Sequence, residues 1–293
     1  MNWQLFVAQV LAGIANGALY FLVASGLTLL WGAMGVVNLA HGSFFMLSAF
    51  AGAVCIQVWG PEWGLLLALV LVPLIAGIFG ALLEMSLFRP VYASGTWGQL
   101  LVSFGLVLAL NNGARLIFGT EARSMPPPKL LSGFVELGGF RLASYQLAVL
   151  VVTALVAIYL WYLLSRSRTG RLIRAAVDDP QMLGAIGVDV RRLRTMVMGI
   201  AALLAGIAGV IAVPRGATTL GLDVQIVVIA FAVIVVGGLG AVWGSLVAAM
   251  IIGIAEAVST MFLDQGSEVV IFAVMVLVLL VRPTGLRTIV GRE

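Results

Sequence analysis

The sequence predicts an all-α, polytopic transmembrane bundle of about nine helices (eight to ten), forming one domain over residues 1–293. Three observations predict it. Hydrophobic residues fill 62% of the 293 positions and charged residues only 10%, where a soluble domain carries about 25% charged residues. The apolar residues fall into runs near the ~20 residues that cross a ~30 Å hydrocarbon core. The charges are gathered into a few short stretches instead of being spread over a surface. The net charge of +4 therefore does not read as a nucleic-acid footprint: arginine clustered beside apolar spans is the mark of loops held on the cytoplasmic side.

Taken in order, the expected membrane segments are 4–31, 36–58, 64–88, 97–118, 145–164, 195–213, 224–240, 244–262 and 267–281. Several are short or rich in glycine, which allows half-helices or re-entrant pieces. Residues 1–61 contain no Asp, Glu, Lys or Arg. A secretory signal would open on a positive stretch, so the first segment is expected to remain as a membrane helix. Cys55 is the single cysteine and has no internal disulfide partner.

Orientation follows from the arginines. Residues 165–194 hold Arg166, Arg168, Arg171, Arg174, Arg191, Arg192 and Arg194 against Asp178, Asp179 and Asp189, and the tail after 281 holds Arg282, Arg287 and Arg292. Both are expected to be cytoplasmic. Counting crossings backwards puts the N-terminus and the loop 119–144 outside. That loop contains Met125-Pro126-Pro127-Pro128-Lys129, which must be extended because consecutive prolines cannot be helical. It reads either as a strap that meets a partner or as a stiff connector.

The chain has 35 glycines. Pairs such as Gly13 with Gly17 and Gly240 with Gly244 have the spacing that lets helix backbones approach closely in lipid. A faint internal two-fold echo is present: Trp31-Gly32 against Trp243-Gly244, and His41-Gly42-Ser43-Phe44 against Trp243-Gly244-Ser245-Leu246. Related halves with broken helices at corresponding positions are a transporter pattern.

Energy coupling is constrained by an absence. A P-loop needs a lysine that reaches nucleotide phosphates, and the only lysine, Lys129, follows three prolines. This chain does not hydrolyse ATP by that mechanism. It works passively, through ion coupling, or through a motor on another subunit. Ionisable groups within apolar spans are costly and so mark candidates: Glu84, Arg115, Glu256 and the titratable His41. Glu84 and Arg115 lie near segment ends and read as anchors, with Glu84 placed to snorkel to water. Glu256 is deeper; it pairs with Arg215 or another subunit, or it lines a path. No catalytic dyad, nucleophile set or metal-ligand cluster is present, no cofactor is implied, and the reading is not that of an enzyme.

Residues 174–194 can take a push from another protein. Asp179-Pro180 is a helix start, with a capping oxygen and then proline in the first turn, and Gly187 is a natural stop. Met182, Leu183 and Ile186 share one face of the intervening helix. Such a helix docks into a partner's groove or lies flat on anionic headgroups.

Beyond these local signals the chain resembles the permease subunits of branched-chain amino acid ABC importers. The likeness is carried by Gly26-Leu27-Thr28-Leu29-Leu30-Trp31-Gly32, Val37-Asn38-Leu39-Ala40-His41-Gly42-Ser43-Phe44-Phe45-Met46, Ser103-Phe104-Gly105-Leu106, the stretch from Gly170-Arg171 through Ala175-Ala176, Asp178, Gly187 and Arg191, Val236-Gly237-Gly238-Leu239-Gly240, and Val281-Arg282-Pro283-Thr284-Gly285-Leu286. The resemblance implies a second, related permease subunit, two cytoplasmic ATP-binding subunits, a periplasmic binding protein, and a place in the bacterial inner membrane. It implies that Arg171, Arg174, Asp178, Asp179, Met182, Leu183, Ile186, Gly187 and Arg191 couple to the ATPases. Arg174 stands where other importers have the glutamate of a Glu-Ala-Ala signature, so their contacts do not transfer residue by residue. Candidates for the substrate path are Asn38, His41, Asn111, Asn112 and Glu256, since polar groups in apolar spans face the bundle interior; Asn111 and Asn112 also fit as hydrogen-bonding glue between helices. The competing function is a stand-alone, ion-coupled secondary transporter of small polar solutes.

Overall fold

Helix α1 (Trp3–Met34) supplies much of the core, with Phe21, Leu22, Leu27 and Leu30 buried. This computed structural model describes residues 3–137, 140–178, 180–263 and 267–288. At 1.5 Å rise per residue, the 32 residues of α1 reach about 48 Å. That exceeds the hydrocarbon core and leaves room for both ends to emerge.

After α1 come α2 (His41–Leu83), α3 (Arg89–Val91), α4 (Gly95–Phe118), strands β1 (Phe134–Leu137) and β2 (Phe140–Ala143), and α5 (Ser144–Trp161). Two short helices, α6 (Arg168–Asp178) and α7 (Pro180–Ala185), lead into α8 (Val190–Ala212), α9 (Leu222–Gly237), α10 (Val242–Ser259) and α11 (Ser267–Val281). Five helical stretches are long and apolar enough to cross a membrane: Leu5–Met34, His41–Phe118, Ser144–Arg166, Val190–Arg215 and Val242–Ser259. The second is 78 residues long and turns at Gly60 (φ 78°) and Gly95 (φ 70°), so it supplies three segments. With the shorter Leu222–Gly237 and Val269–Val281, nine membrane segments stand among the described residues.

Gly60 shows how sequence makes such a turn. Its φ lies in the region L-residues avoid, and Pro61 follows it. The two halves of α2 fold back on each other so tightly that a Cβ on Gly64 would lie 2.5 Å from the Cys55 carbonyl oxygen. Against this hairpin lies α8, in contact with both halves through Gly52, Pro73, Gly77 and Gly80. Helix α10 runs along the other flank of α1. There Cβ atoms on Gly13 and Gly17 would each lie 2.6 Å from the backbone of Ile254 and Ala249, the close approach expected from their spacing.

The large buried side chains include Phe21, Leu22, Phe44, Phe50, Met198 and Ile234, from α1, α2, α8 and α9. Outward-facing positions are just as apolar: Ile75, Leu101, Leu155 and Leu277 are exposed, as a lipid-facing surface requires.

The all-α bundle holds, with one addition and one shift. Within the 119–144 strap β1 and β2 pair antiparallel, Phe134 opposite Ala143. The prolines before them stay extended (Pro128 φ −52°, ψ 146°), and a hairpin satisfies backbone groups that a helix cannot reach there. In addition, the segment expected from 36 starts as a helix only at His41. That delay shapes the candidate site.

Candidate functional site

Helix α2 begins midway through the bundle. Gly35 (φ 62°) ends α1, donating to the Trp31 carbonyl at 2.9 Å, and the chain then doubles back. Asn38 organises the return: its Oδ1 accepts from Ala40 N at 3.0 Å, and its amide reaches the Met198 sulfur at 3.6 Å. His41 Nε2 donates to the Val23 carbonyl at 2.9 Å. A Cβ on Gly26 would lie 2.7 Å from the imidazole Cε1 and 2.8 Å from the Ala201 carbonyl oxygen. Ala201 is the midpoint of α8, so His41 sits at mid-depth, about 12 Å back from the end of α1 at 1.5 Å per residue. His41 is fully buried, and its Nδ1 has no hydrogen-bond partner among the described residues.

Helix α9 begins at the same depth. After α8 a 3-10 turn, Val213–Arg215, gives way to extended chain, and Gly221 (φ 95°) precedes the first turn. Asp223 in that turn is 1% exposed. Ser43 Oγ donates to its Oδ2 at 3.3 Å, and the Asn111 amide reaches both carboxylate oxygens at 3.2 Å. One buried carboxylate thus ties together α2, α4 and α9, in the first turn where an acid is favoured by the helix dipole. Gly42 has no room for a side chain, because a Cβ would collide with the Asp223 carbonyl oxygen. Gly244, its counterpart in the sequence echo, is blocked in the same way by the Gly237 carbonyl oxygen at the other end of α9. The following serines also correspond: Ser245 bonds Thr28 at 2.9 Å, as Ser43 bonds Asp223.

Beside these starts lies a cavity of about 290 Å³ whose lining includes Asn16, Leu19, Tyr20, Arg215, Thr218 and Gln225. Arg215 supplies its charge, held by the Ala15 carbonyl at 3.1 Å and by Asn16 Oδ1. Tyr20 OH donates to Glu256 Oε2 at 2.5 Å, which ties Glu256 to the cavity wall. Leu19, Leu222 and Ile226 give the cavity an apolar side. The strap closes the end: Arg123 N donates to Thr218 O at 3.0 Å, and Thr218 N to Arg123 O at 2.8 Å. Arg123 Nη2 also donates to the Phe118 carbonyl at 2.8 Å.

None of the five path candidates is in this lining. Asn38, His41 and Asn111 hold up the helix starts next to it, and Glu256 reaches it through Tyr20. Asn112 turns away and donates to its own helix at Leu108 O, 2.8 Å. Missing from the sequence reading were Asp223, Arg215 as a cavity residue, Asn16, Tyr20, Thr218 and Gln225. The signal available for Asp223 was an acid directly after Gly221 and before an apolar run. The expected segment starts at 224, whereas the helix starts two residues earlier, at Leu222.

At the arginine-rich end, Ser167 caps α6 by accepting from Gly170 N at 3.0 Å. Arg174 donates to the Leu164 carbonyl and Arg171 to the Arg166 carbonyl at 3.4 Å. Gly187 (φ 85°) stops α7 as expected, with Gly187 N on Gly184 O at 3.0 Å and Val188 N on Leu183 O at 3.3 Å, the paired bonds of a Schellman end. The expected apolar face of α7 is divided: Leu183 is buried in the main core, while Met182 and Ile186 are exposed. Arg191 donates its backbone N–H to Asp189, which caps α8. Asp179 lies outside the described residues, and of Asp178 only the backbone, ending α6, is described. Glu84 does not snorkel: it is 0% exposed, paired with Arg89 at 3.1 Å and bonded by Thr195 at 2.5 Å and Tyr92 at 3.3 Å.

Helices that start at mid-depth around a polar cavity satisfy their backbone ends inside protein, the one place non-helical chain is tolerated within a membrane, and this arrangement defines the class of membrane permeases. The particular family is given by comparison: the chain belongs to the family described as the branched-chain amino acid transport system permease component, which matches residues 9–279. It is 29% identical to the high-affinity branched-chain amino acid transport system permease protein BraD of Pseudomonas aeruginosa, over 96% of this chain and 95% of the relative. It is 31% identical to the corresponding protein LivH of Escherichia coli, with the same coverage. A more distant relative is the ribose import permease protein RbsC of Escherichia coli, 26% identical over 79% of this chain and 71% of its own length. No solved structure matches.

Proposed function

We propose that this chain is the transmembrane subunit of an ATP-binding-cassette importer that moves branched-chain or related amino acids across the bacterial inner membrane. One observation carries the reading: the cavity at the start of α9 sets Arg215, Asn16 and Gln225 against Leu19, Leu222 and Ile226. A zwitterion with a short branched side chain needs that division. The names of the relatives near 30% identity point to the same substrates. On this reading the arginine-rich end is cytoplasmic. There α6 and α7, with Arg171, Arg174, Met182, Ile186 and Arg191, meet two ATPase subunits that supply the energy. The strap end receives a periplasmic binding protein. Displacing the strap pulls Thr218 through its two backbone bonds to Arg123 and opens the cavity lid. A second, related permease completes the conduit against the faces of α4 and α9, where Asn112 and Gln225 are exposed near mid-depth.

The test is uptake of labelled leucine into proteoliposomes. The complete assembly with ATP inside the ATPase compartment and binding protein on the opposite side concentrates the substrate, and this chain with its permease partner alone does not. Concentrative uptake driven by an ion gradient without ATPases would establish the secondary-transporter reading instead.

A further inference from the structure

The second half of α2 and the first half of α8 enclose a groove of which the transport reading uses only Arg191, at the rim. It has a volume of about 770 Å³. Its walls are apolar, from Leu74, Ile78 and Met85 on one helix and Met196, Ile200 and Leu203 on the other. Gly77 and Gly199 form its floor, where the backbones pack so closely that a Cβ on Gly77 would lie only 3.1 Å from the Gly199 carbonyl oxygen. At the arginine-rich end the lining changes to Arg89, Arg191, Arg192 and Thr195, with one carboxylate, Asp189, among them.

We infer that this groove is a site for one anionic phospholipid, with the phosphate on the arginine rim and an acyl chain between α2 and α8. The dimensions fit. From Arg191 to Leu203 is twelve residues of helix, about 18 Å, close to one leaflet of a ~30 Å core. The chemistry also fits. Basic pockets between membrane helices on the cytoplasmic side hold anionic headgroups, whereas an apolar wall of this length has no use for a soluble anion.

The charges in the rim are not all spent. Arg192 bridges Asp189 at 3.0 Å, but its side chain is 89% exposed and the pair is an open surface one, weak and easily shared. Arg89 is committed to Glu84 through one amino group, while its Nε is buried with no partner among the described residues. Arg191 uses its backbone N–H on Asp189 and forms none of the ion pairs found among the described residues. The rim therefore offers the guanidinium groups of Arg191 and Arg192, with the charge of Arg89 beside them, at the mouth of an apolar slot. Placing the lipid in the cytoplasmic leaflet rests on the orientation proposed above; the site itself does not.

The test uses the full chain purified in mild detergent. Thermal unfolding is followed while phosphatidylglycerol or phosphatidylcholine is added, and the lipid retained through purification is counted by native mass spectrometry. Phosphatidylglycerol is expected to raise the melting temperature and to be retained near one per chain. The double variant Arg191→Gln with Arg192→Gln should weaken this by about thirtyfold, since each arginine near an anionic surface is worth about 1 kcal/mol, or about fivefold in affinity. Arg168→Gln, at the same end but outside the groove, should leave it unchanged. Equal effects of the two lipids, or equal losses from Arg168→Gln and the double variant, would overturn the assignment. Failure of amino-acid uptake would overturn the transport reading while leaving this result standing.

Discussion

The Asn111 side-chain amide sits 3.2 Å from each carboxylate oxygen of Asp223, midway through an apolar bundle. The two residues are 112 positions apart in sequence, and Ser43 of a third helix completes the contact. Together they fix where α9 starts, and so where the cavity floor lies. Asp223→Ala should lower stability by about 1–3 kcal/mol, the cost of leaving Asn111 and Ser43 buried without an acceptor. In a double-mutant cycle with Asn111→Ala the losses should be less than additive. Additive losses, read from unfolding in detergent, would show that the pair is not coupled.

Gly26→Ala tests the mid-depth start of α2. The added methyl would press on the His41 ring at 2.7 Å and on the Ala201 carbonyl oxygen at 2.8 Å. Overpacking of this kind costs about 1–3 kcal/mol. A lower melting temperature is expected, partly restored by His41→Ala, which removes the ring. No restoration would mean that the clash lies with α8 alone.

The two apolar residues of α7 should behave differently. Leu183 is 4% exposed and Ile186 67%. Leu183→Asp is expected to destabilise the chain itself, seen as poor recovery from the membrane. On the proposed function, Ile186→Asp should give normal recovery and weaker co-purification of the proposed ATPase subunits. If Ile186→Asp leaves that association at the wild-type level, the docking face is elsewhere.

Thr218→Pro removes the N–H that bonds Arg123 at 2.8 Å. The strap should loosen, with faster proteolysis between 119 and 144 and little change in overall unfolding. On the proposed function, uptake supported by a binding protein is expected to fall. Protection equal to wild type would separate the strap from the loop beneath it.

Glu84→Ala strands Arg89 and Thr195 at the foot of α2 and α8. Because Arg89 is 34% exposed, water takes up part of the lost partner, and a cost of about 1–3 kcal/mol is expected. A smaller effect, measured by chemical denaturation, would indicate that Arg89 finds another acceptor.

Much of this protein was legible without coordinates. The apolar runs placed nine segments because hydropathy and length are local properties and the bilayer sets one length scale. Gly187 as the end of α7, the extended prolines and the close packing of Gly13 and Gly17 followed from equally local chemistry. Tertiary structure alone decided the rest. Whether a polar side chain in a membrane span lines a cavity, props up a neighbouring helix or bonds its own backbone depends on which helices meet at that depth. Asn111 and Asn112 are adjacent in sequence, yet one grips Asp223 and the other Leu108 of its own helix. The side chain of Leu183 turned inward for the same reason. Periodicity assigns residues to a face, and only packing decides what that face meets.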